Sequence, residues 1–331
     1  MKHANIALFV PHEGCPNQCV FCNQRSISGS TKKLTGNDVD AAVKTALDGC
    51  ERIDAQLAFF GGSFTAIERS YMLELLEKAK PYVDSGAIKG GIRVSTRPDA
   101  ISDEILSILR SYKVTAIELG CQSMNDGVLS ACKRGHTARH VEKACALIKS
   151  YGFELGVQMM TGLPGDTDET CLQTAQKLIS LKPDTVRIYP TVVLENTPLE
   201  TLYRQGLYTP QTLEQTVVLC AKLLKMFDEA NVRVIRLGLH SGGGVEEGYV
   251  AGVYHPAFRQ LCEAEIYRRE FEKLIGESKN THVYFSVAKG KTSSAVGHKR
   301  ANVIWFAQRG INLHVRENGA LSGYEVCPYT V

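Results

Sequence analysis

Pro11-His-Glu-Gly-Cys-Pro-Asn-Gln-Cys-Val-Phe-Cys-Asn-Gln-Arg25 is the stretch that governs how the rest of this 331-residue chain is read. It sets Cys15, Cys19 and Cys22 in a C-x3-C-x2-C run directly behind an apolar segment, Ile6 to Val10. Thiolates so close in sequence either converge on one metal centre or sit apart as buried thiols, since cysteine is a small and often buried hydrophobe. Iron–sulfur clusters are held by Cys thiolates, four to a four-iron cluster as a rule. Three leave one iron free for a small molecule. Zinc is the competing reading, because C-x3-C falls within zinc spacing and His12 is a candidate fourth ligand. A structural zinc site recruits its ligands in two pairs, and no second Cys pair has that spacing. The cluster reading is the stronger.

Working outward from the cysteines, strand and helix patterns alternate. Strands are expected at Asn5–Val10, Gln56–Phe60, Ile92–Ser95, Thr115–Leu119, Leu155–Met160 and Val186–Tyr189, with a further one at Val232–Leu237. Helical spacing of apolar residues separates them, as with Val39, Val43 and Leu47, and again over Leu213–Glu229. Such alternation calls for a parallel sheet with right-handed crossovers. No loop carries G-x-G-x-x-G, so a dinucleotide fold is disfavoured. The expected fold is α/β: a partial (β/α)6 barrel over residues 1–238, followed by a small α+β module over 239–331. Chemistry in such barrels sits at the carboxyl ends of the strands. The unusual stretches Gly61-Gly-Ser63, Thr96-Arg-Pro-Asp99, Gly120-Cys-Gln-Ser123 and Gly162-Leu-Pro-Gly165 all fall there.

Composition narrows the class. Hydrophobic content of 44% and charged content of 22% are ordinary for a globular protein, and a formal charge of +3 does not by itself call for nucleic acid. Outside the motif, eight cysteines are scattered singly among the eleven. An odd total without a framework spacing points to a reducing compartment. The apolar run near the N-terminus is too short for a signal peptide or membrane span, so a cytoplasmic protein is expected.

The cysteine run, with Phe21 just before its last Cys, resembles the signature of the radical S-adenosylmethionine superfamily. That resemblance implies a [4Fe–4S] cluster on Cys15, Cys19 and Cys22, with S-adenosyl-L-methionine chelating the open iron. One electron then yields a 5'-deoxyadenosyl radical, so a low-potential donor such as flavodoxin or ferredoxin is implied as partner. By position, Gly61, Gly62 and Ser63 match the turn that holds the methionine amino group. Ser95, Gln122 and Gln158 match residues that bind ribose and the methionine carboxylate, although many relatives carry a carboxylate where Ser95 and Gln158 stand. Arg134 is a candidate for the methionine carboxylate, or equally a solvated arginine near a helix end. Gly162 opens a turn that resembles the one whose backbone contacts adenine in the family.

Val94-Ser-Thr-Arg-Pro-Asp99, Glu118-Leu-Gly-Cys-Gln-Ser123, Lys133-Arg-Gly-His136 and Arg187-Ile-Tyr-Pro-Thr191 together resemble the radical domain of the Elongator catalytic subunit. The branch implies a hydrogen-abstracting enzyme with a tRNA base or other nucleotide as substrate. Elongator proteins space their first two cysteines more widely and carry an acetyltransferase domain, for which 331 residues are expected to leave no room. Acetyl transfer is therefore not carried over. Tetrapyrrole-acting relatives of the coproporphyrinogen-oxidase type have a further Cys two places after the third, where this chain has Gln24. That reading, and a non-catalytic metal-bearing RNA-binding protein, stand as alternatives. Tyr189 and His255 are candidate substrate contacts, and Arg187 and Tyr189, alternating on one strand, share a face that is either the lumen's or the helices'. Lys289, Lys291, Lys299 and Arg300 surround Ser294-Ala-Val-Gly-His-Lys-Arg-Ala-Asn302. A strand, a basic loop and a helix N-terminus there make a candidate nucleic-acid or anion site, or a solvated basic turn.

Overall fold

The computed structural model describes residues 5–10, 15, 19–23, 33–48, 50–239, 244–276 and 280–330. His12 and Gln24 lie outside the described residues. The chain opens with β1 (Asn5–Val10), α1 (Gly36–Leu47), β2 (Gln56–Gly61), α2 (Arg69–Asp84), β3 (Ile92–Thr96) and α3 (Asp103–Ser111). Next come β4 (Val114–Gln122), α4 (Asp126–Ala131), α5 (Ala138–Ser150), β5 (Glu154–Thr161), α6 (Asp168–Ser180) and β6 (Thr185–Pro190). β7 (Val192–Leu194), α7 (Pro198–Arg204), α8 (Leu213–Glu229), β8 (Arg233–Leu237), α9 (Gly244–Glu247) and β9 (Tyr249–Gly252) follow. The end is α10 (Phe258–Ile275), β10 (His282–Ala288), α11 (Thr292–Val296), α12 (Ala301–Ala307), β11 (Asn312–Asn318) and β12 (Val326–Pro328).

Seven parallel strands form one sheet in the order β1-β2-β3-β4-β5-β6-β8. The six expected βα units are present, and β8 adds the seventh strand. Polar N-caps start the crossover helices: Ser102 accepts from the Ile105 amide, and capping boxes at Thr35, Thr167 and Thr212 open α1, α6 and α8. The sheet curls into a partial barrel, and its two faces differ sharply. On β4, Ile117, Leu119 and Cys121 join the core beneath the helices, as do Val186 and Ile188 on β6. The alternate positions face the lumen.

That lumen face is polar. Arg93, wholly buried, donates from Nε to Gln56 (2.7 Å), from Nη1 to Glu118 (3.1 Å) and from Nη2 to Glu154 (2.7 Å). Arg187 forks onto both oxygens of Glu118 at 2.8 and 2.9 Å. Its guanidinium also lies 5.3 Å from the Phe60 ring centroid. These contacts turn Arg187, and with it Tyr189, into the lumen. Gln56, Arg93 and Glu154 all stand at the beginnings of their strands, so this network fills the lumen's floor and leaves the carboxyl ends for the site.

Past the barrel, α10 packs along α8, and one hydrophobic core runs unbroken from Leu224 and Phe227 to Ile266, Tyr267 and Phe271. A three-stranded sheet, β11-β10-β12, lies beyond it. The stretch read from sequence as a basic loop contains the short helix α11 and a 3-10 turn over His298–Arg300. β7 and β9 pair antiparallel as a separate two-stranded strap. Among the described residues no helix is long and apolar enough to cross a membrane.

Candidate active site at the carboxyl ends of the strands

The cysteine loop is docked on both sides. The Val20 amide donates to Cys132 O at 3.2 Å, and the Leu199 amide donates to Val20 O at 2.8 Å. Val20 and Phe21 pack with Val128, Cys132, Met160 and Leu163. Phe21 thus ties the loop to α4 and to the turn after β5. Cys19 is buried, Cys22 half-buried and Cys15 exposed.

Two arginines stand beside these thiols. Arg134 donates from Nη1 to Cys19 Sγ at 3.2 Å and from Nη2 to Gly120 O at 2.6 Å. Arg97 is held by Asp99 through paired contacts of 3.0 and 2.7 Å, and it also donates to Arg134 O at 3.1 Å. Burial first, then the neighbouring Cys19 and Cys15, push the Cys22 thiol up to about 12. Desolvation followed by repulsion from Cys19 raises Cys15 too, although Arg97, Arg134 and the Ser63 amide pull it back. Among the described residues no three of His, Cys, Asp and Glu lie close enough together to grip one metal ion. The sulfurs are nonetheless near enough for Cys19 to raise Cys15, and for Cys19 and Cys15 to raise Cys22.

The turn after β2 brings Gly61, Gly62 and Ser63 to the same end. Gly61 has φ +109°, and a Cβ there would meet Val10 O at 2.8 Å. The Gly62 amide donates to that same oxygen. Ser63 Oγ lies 3.0 Å from Thr96 Oγ1 and accepts from the Arg97 amide at 3.1 Å, so its hydroxyl clamps β2 to β3. Gln122 closes β4 with φ +65°, and both Gln122 Nε2 and Arg134 Nη2 crowd the space beside Gly120. Ser95 shares the lumen face with Arg93. Gln158 donates to Glu118 Oε2 at 3.0 Å, which ties it into the lumen network. Gly162 O accepts from the Tyr208 hydroxyl at 2.7 Å.

Among the described residues, four polar atoms in this region are buried without a hydrogen-bond partner: Ser95 Oγ, Gln122 Oε1, Arg134 Nε and His136 Nδ1. Buried polar atoms are ordinarily paired, with water or ligand where protein does not reach. His136 Nε2 lies 3.2 Å from Cys121 O. Burial, then the Arg134 charge, lowers its pKa to about 4, so the ring is neutral at pH 7. Tyr189 is raised by burial against the opposing pull of Arg187.

The remaining sequence candidates lie apart from this constellation. His255 Nδ1 accepts from the Ala257 amide at the start of α10, and its ring meets His298 edge-on at 5.9 Å. Lys291 lies 3.9 Å from Glu263 and 4.7 Å from the Tyr324 ring centroid, turned toward the module's interior. Lys289, Lys299 and Arg300 are exposed and form no ion pair among the described residues. Sequence reasoning did not single out Arg97, His136, Asp99 or Glu118 as individual site residues. For Arg97, Asp99 and Glu118 the signal was a charged residue inside or just after an apolar strand; for His136 it was its place in the Lys133-Arg-Gly-His136 stretch beside Arg134.

The donor chemistry suits a thiolate-held metal cluster with a zwitterionic ligand beside it: three neighbouring cysteines, two flanking guanidiniums that favour thiolate charge, and unpaired hydrogen-bonding atoms next to them. Comparison with known proteins agrees with the class. A family model described as the radical SAM superfamily matches residues 9–178, and one described as the Radical_SAM C-terminal domain matches 183–268. The chain belongs to the radical S-adenosylmethionine superfamily and is an enzyme of its Elongator-like branch. It is 32% identical over 254 residues to a tRNA uridine(34) acetyltransferase of Methanocaldococcus infernus, covering 65% of this chain and 48% of that protein. To Elongator complex protein 3 of Schizosaccharomyces pombe it is 26% identical over 268 residues, covering 67% and 49%. The chain thus spans about half the length of these relatives. The solved structure of M. infernus Elp3 with an N-terminal deletion superposes with a TM-score of 0.62 at 20% identity, over 83% of this chain and 63% of that one. This likeness establishes the shared fold.

Proposed function

We propose that this enzyme binds a [4Fe–4S] cluster through Cys15, Cys19 and Cys22, and S-adenosylmethionine beside it, to abstract hydrogen from a tRNA base. The observation that carries the proposal is the meeting of the cysteine loop with Arg97 and Arg134 next to four unpaired buried polar atoms. When bound, the cluster and its ligand supply one-electron cleavage of a sulfonium, which gives a carbon-centred radical. The protein's part is binding, orientation and exclusion of water. Arg134 offers its unpaired Nε to a carboxylate, the Gly61–Ser63 turn offers backbone to an ammonium, and Ser95 and Gln122 offer their free oxygens to hydroxyls. Glu118, Arg93 and Arg187 close the floor of the lumen against water. The neutral His136 holds the β4 end without adding positive charge. The tRNA proposal takes its support from the names of the relatives, and a reducing cytoplasm with a flavodoxin- or ferredoxin-like donor is the setting it implies.

Anaerobic reconstitution with iron and sulfide tests the reading. A four-iron cluster should form, and reduction with S-adenosylmethionine should release 5'-deoxyadenosine. Both should be lost in the Cys15→Ala/Cys19→Ala/Cys22→Ala variant. Zinc in place of iron, or no 5'-deoxyadenosine from cluster-loaded protein, would overturn it. The substrate class is tested by comparing modified nucleosides in tRNA from cells with and without the gene, where identical profiles speak against tRNA.

A further inference from the structure

The C-terminal sheet carries a face that the proposed reaction leaves unused. Along β10 and β11, Val283, Phe285, Val287 and Leu313 enter the core, and Phe285 stacks on Phe271 of α10 at 4.8 Å. Strand alternation therefore sends His282, Tyr284 and Ser286 of β10, with Asn312, His314 and Arg316 of β11, to the other face. The register pairs them as His282 with Asn312, Tyr284 with His314 and Ser286 with Arg316.

These side chains form an aromatic ladder. Tyr284 stacks on His314 with centroids 4.5 Å apart and planes 13° apart, and His314 stacks on His282 at 5.5 Å and 15°. Tyr329, just past β12, meets Tyr284 edge-on at 5.6 Å. The Arg316 guanidinium lies 3.5 Å from the Tyr329 ring centroid, its Nε donates to Ser286 Oγ at 3.2 Å, and it forms no ion pair among the described residues. His282, His314 and Arg316 are exposed, and Tyr284 and Tyr329 are half-buried.

We propose that this face is a stacking platform for unpaired bases of an RNA, with Arg316 meeting an adjacent phosphate. Single-stranded RNA is recognised by stacking unpaired bases on aromatic side chains, including those on a sheet face, beside cations that track the backbone. A protein partner or a second copy of the chain would be expected to meet a more apolar centre. Here the accessible side chains are two imidazoles, two phenols, an amide, a guanidinium and the thiol of Cys327, which pairs with the buried Ser286; none is aliphatic. The inference rests on the RNA reading above for its choice of partner, and on the ring geometry for its place.

The test is anisotropy of a short fluorescent single-stranded RNA, and of the matching duplex, titrated with full-length protein. The wild type is expected to prefer the single strand. The Tyr284→Ala/His314→Ala variant should bind it about tenfold or more weakly, with its thermal unfolding midpoint unchanged. Tyr284→Phe/His314→Phe should stay within about twofold, because stacking is kept. Arg316→Ala should flatten the salt dependence by roughly one phosphate contact. If the wild type binds RNA and the double-alanine variant binds equally well, the platform is wrong and the RNA reading stands. If the wild type binds no RNA, both fall. A wild-type dimer that the double-alanine substitution dissociates would make this face an interface between copies and overturn the proposal.

Discussion

Arg134 and Cys19 are joined across 115 residues of sequence by a 3.2 Å contact from Nη1 to Sγ. The same guanidinium spans to Gly120 O, so one side chain ties the cysteine loop to the end of β4. Among the described residues its Nε has no partner, which leaves a donor free for a carboxylate.

Arg134→Ala is accordingly expected to weaken S-adenosylmethionine binding about tenfold or more, given roughly 1.5–3 kcal/mol for a hydrogen bond to a charged group. Iron content after reconstitution should stay near wild type. Arg134→Lys restores charge but not the planar fork, and should recover only part of the affinity. Calorimetric titration of the cluster-loaded protein measures both. Equal affinity in wild type and Arg134→Ala would remove Arg134 from the binding site.

Glu118 sits between two buried arginines, and its removal leaves both charges short of a partner. Glu118→Ala should destabilise the fold by about 3–5 kcal/mol, the usual cost of breaking a buried ion pair from one side. Burial alone would raise this carboxyl, but Arg187, then Arg93 and the Gln158 amide, outweigh it and hold it below the usual carboxylate range. Its stabilising contribution is therefore present above the unfolded-state value of about 4.3 and is lost as pH falls through the lower folded value. Urea unfolding of wild type and variant at pH 7 and in acid checks both signs.

His136 gives a second acid-sensitive contribution in a higher window. Its folded pKa of about 4 lies below the ordinary 6.5, so the unfolded chain takes up a proton before the folded one does. Stability should fall as pH drops from about 6.5 toward 4, by roughly 3 kcal/mol at most. His136→Gln should be less stable at pH 7 and show a shallower decline over that interval. Parallel curves for the two proteins would show that the ring does not titrate this way.

Gly61 and Gly165 separate two costs of a left-handed backbone. Both have positive φ, but a Cβ at Gly61 meets Val10 O at 2.8 Å, whereas nothing lies within 4 Å at Gly165. Gly165→Ala should cost about 1–2 kcal/mol from conformation alone. Gly61→Ala adds a backbone clash and should cost more, and by displacing β1 it should also lower cluster retention. Thermal unfolding and iron retention distinguish the two variants.

Much of this arrangement was legible from local pattern. Cys15, Cys19 and Cys22 stand out because spacing within one loop is a sequence property. The parallel strands stand out because buried strands are short apolar runs broken by turn residues. β7 escaped notice because a three-residue strand pairing with β9 has too little local pattern to register. The partners of Glu118 escaped as well: Arg93 and Arg187 lie 25 and 69 residues away, and no periodicity links them. Lys291 looked like a companion to Lys299 and Arg300, yet it turns toward Glu263, a residue of α10.

The chain's linear order determined the thiol trio, the parallel α/β class and the end of the sheet where chemistry gathers, because each follows from neighbours in sequence and from strand direction. Tertiary structure alone decided which charges meet: that Arg134 leans on Cys19, that Arg97 joins it through its carbonyl, and that Glu118 is shared by two buried guanidiniums. It also decided that β10 and β11 line up so that imidazoles and phenols stack on an open face. Contacts of this kind depend on crossover geometry and strand register, which place residues far apart in sequence within a few ångströms.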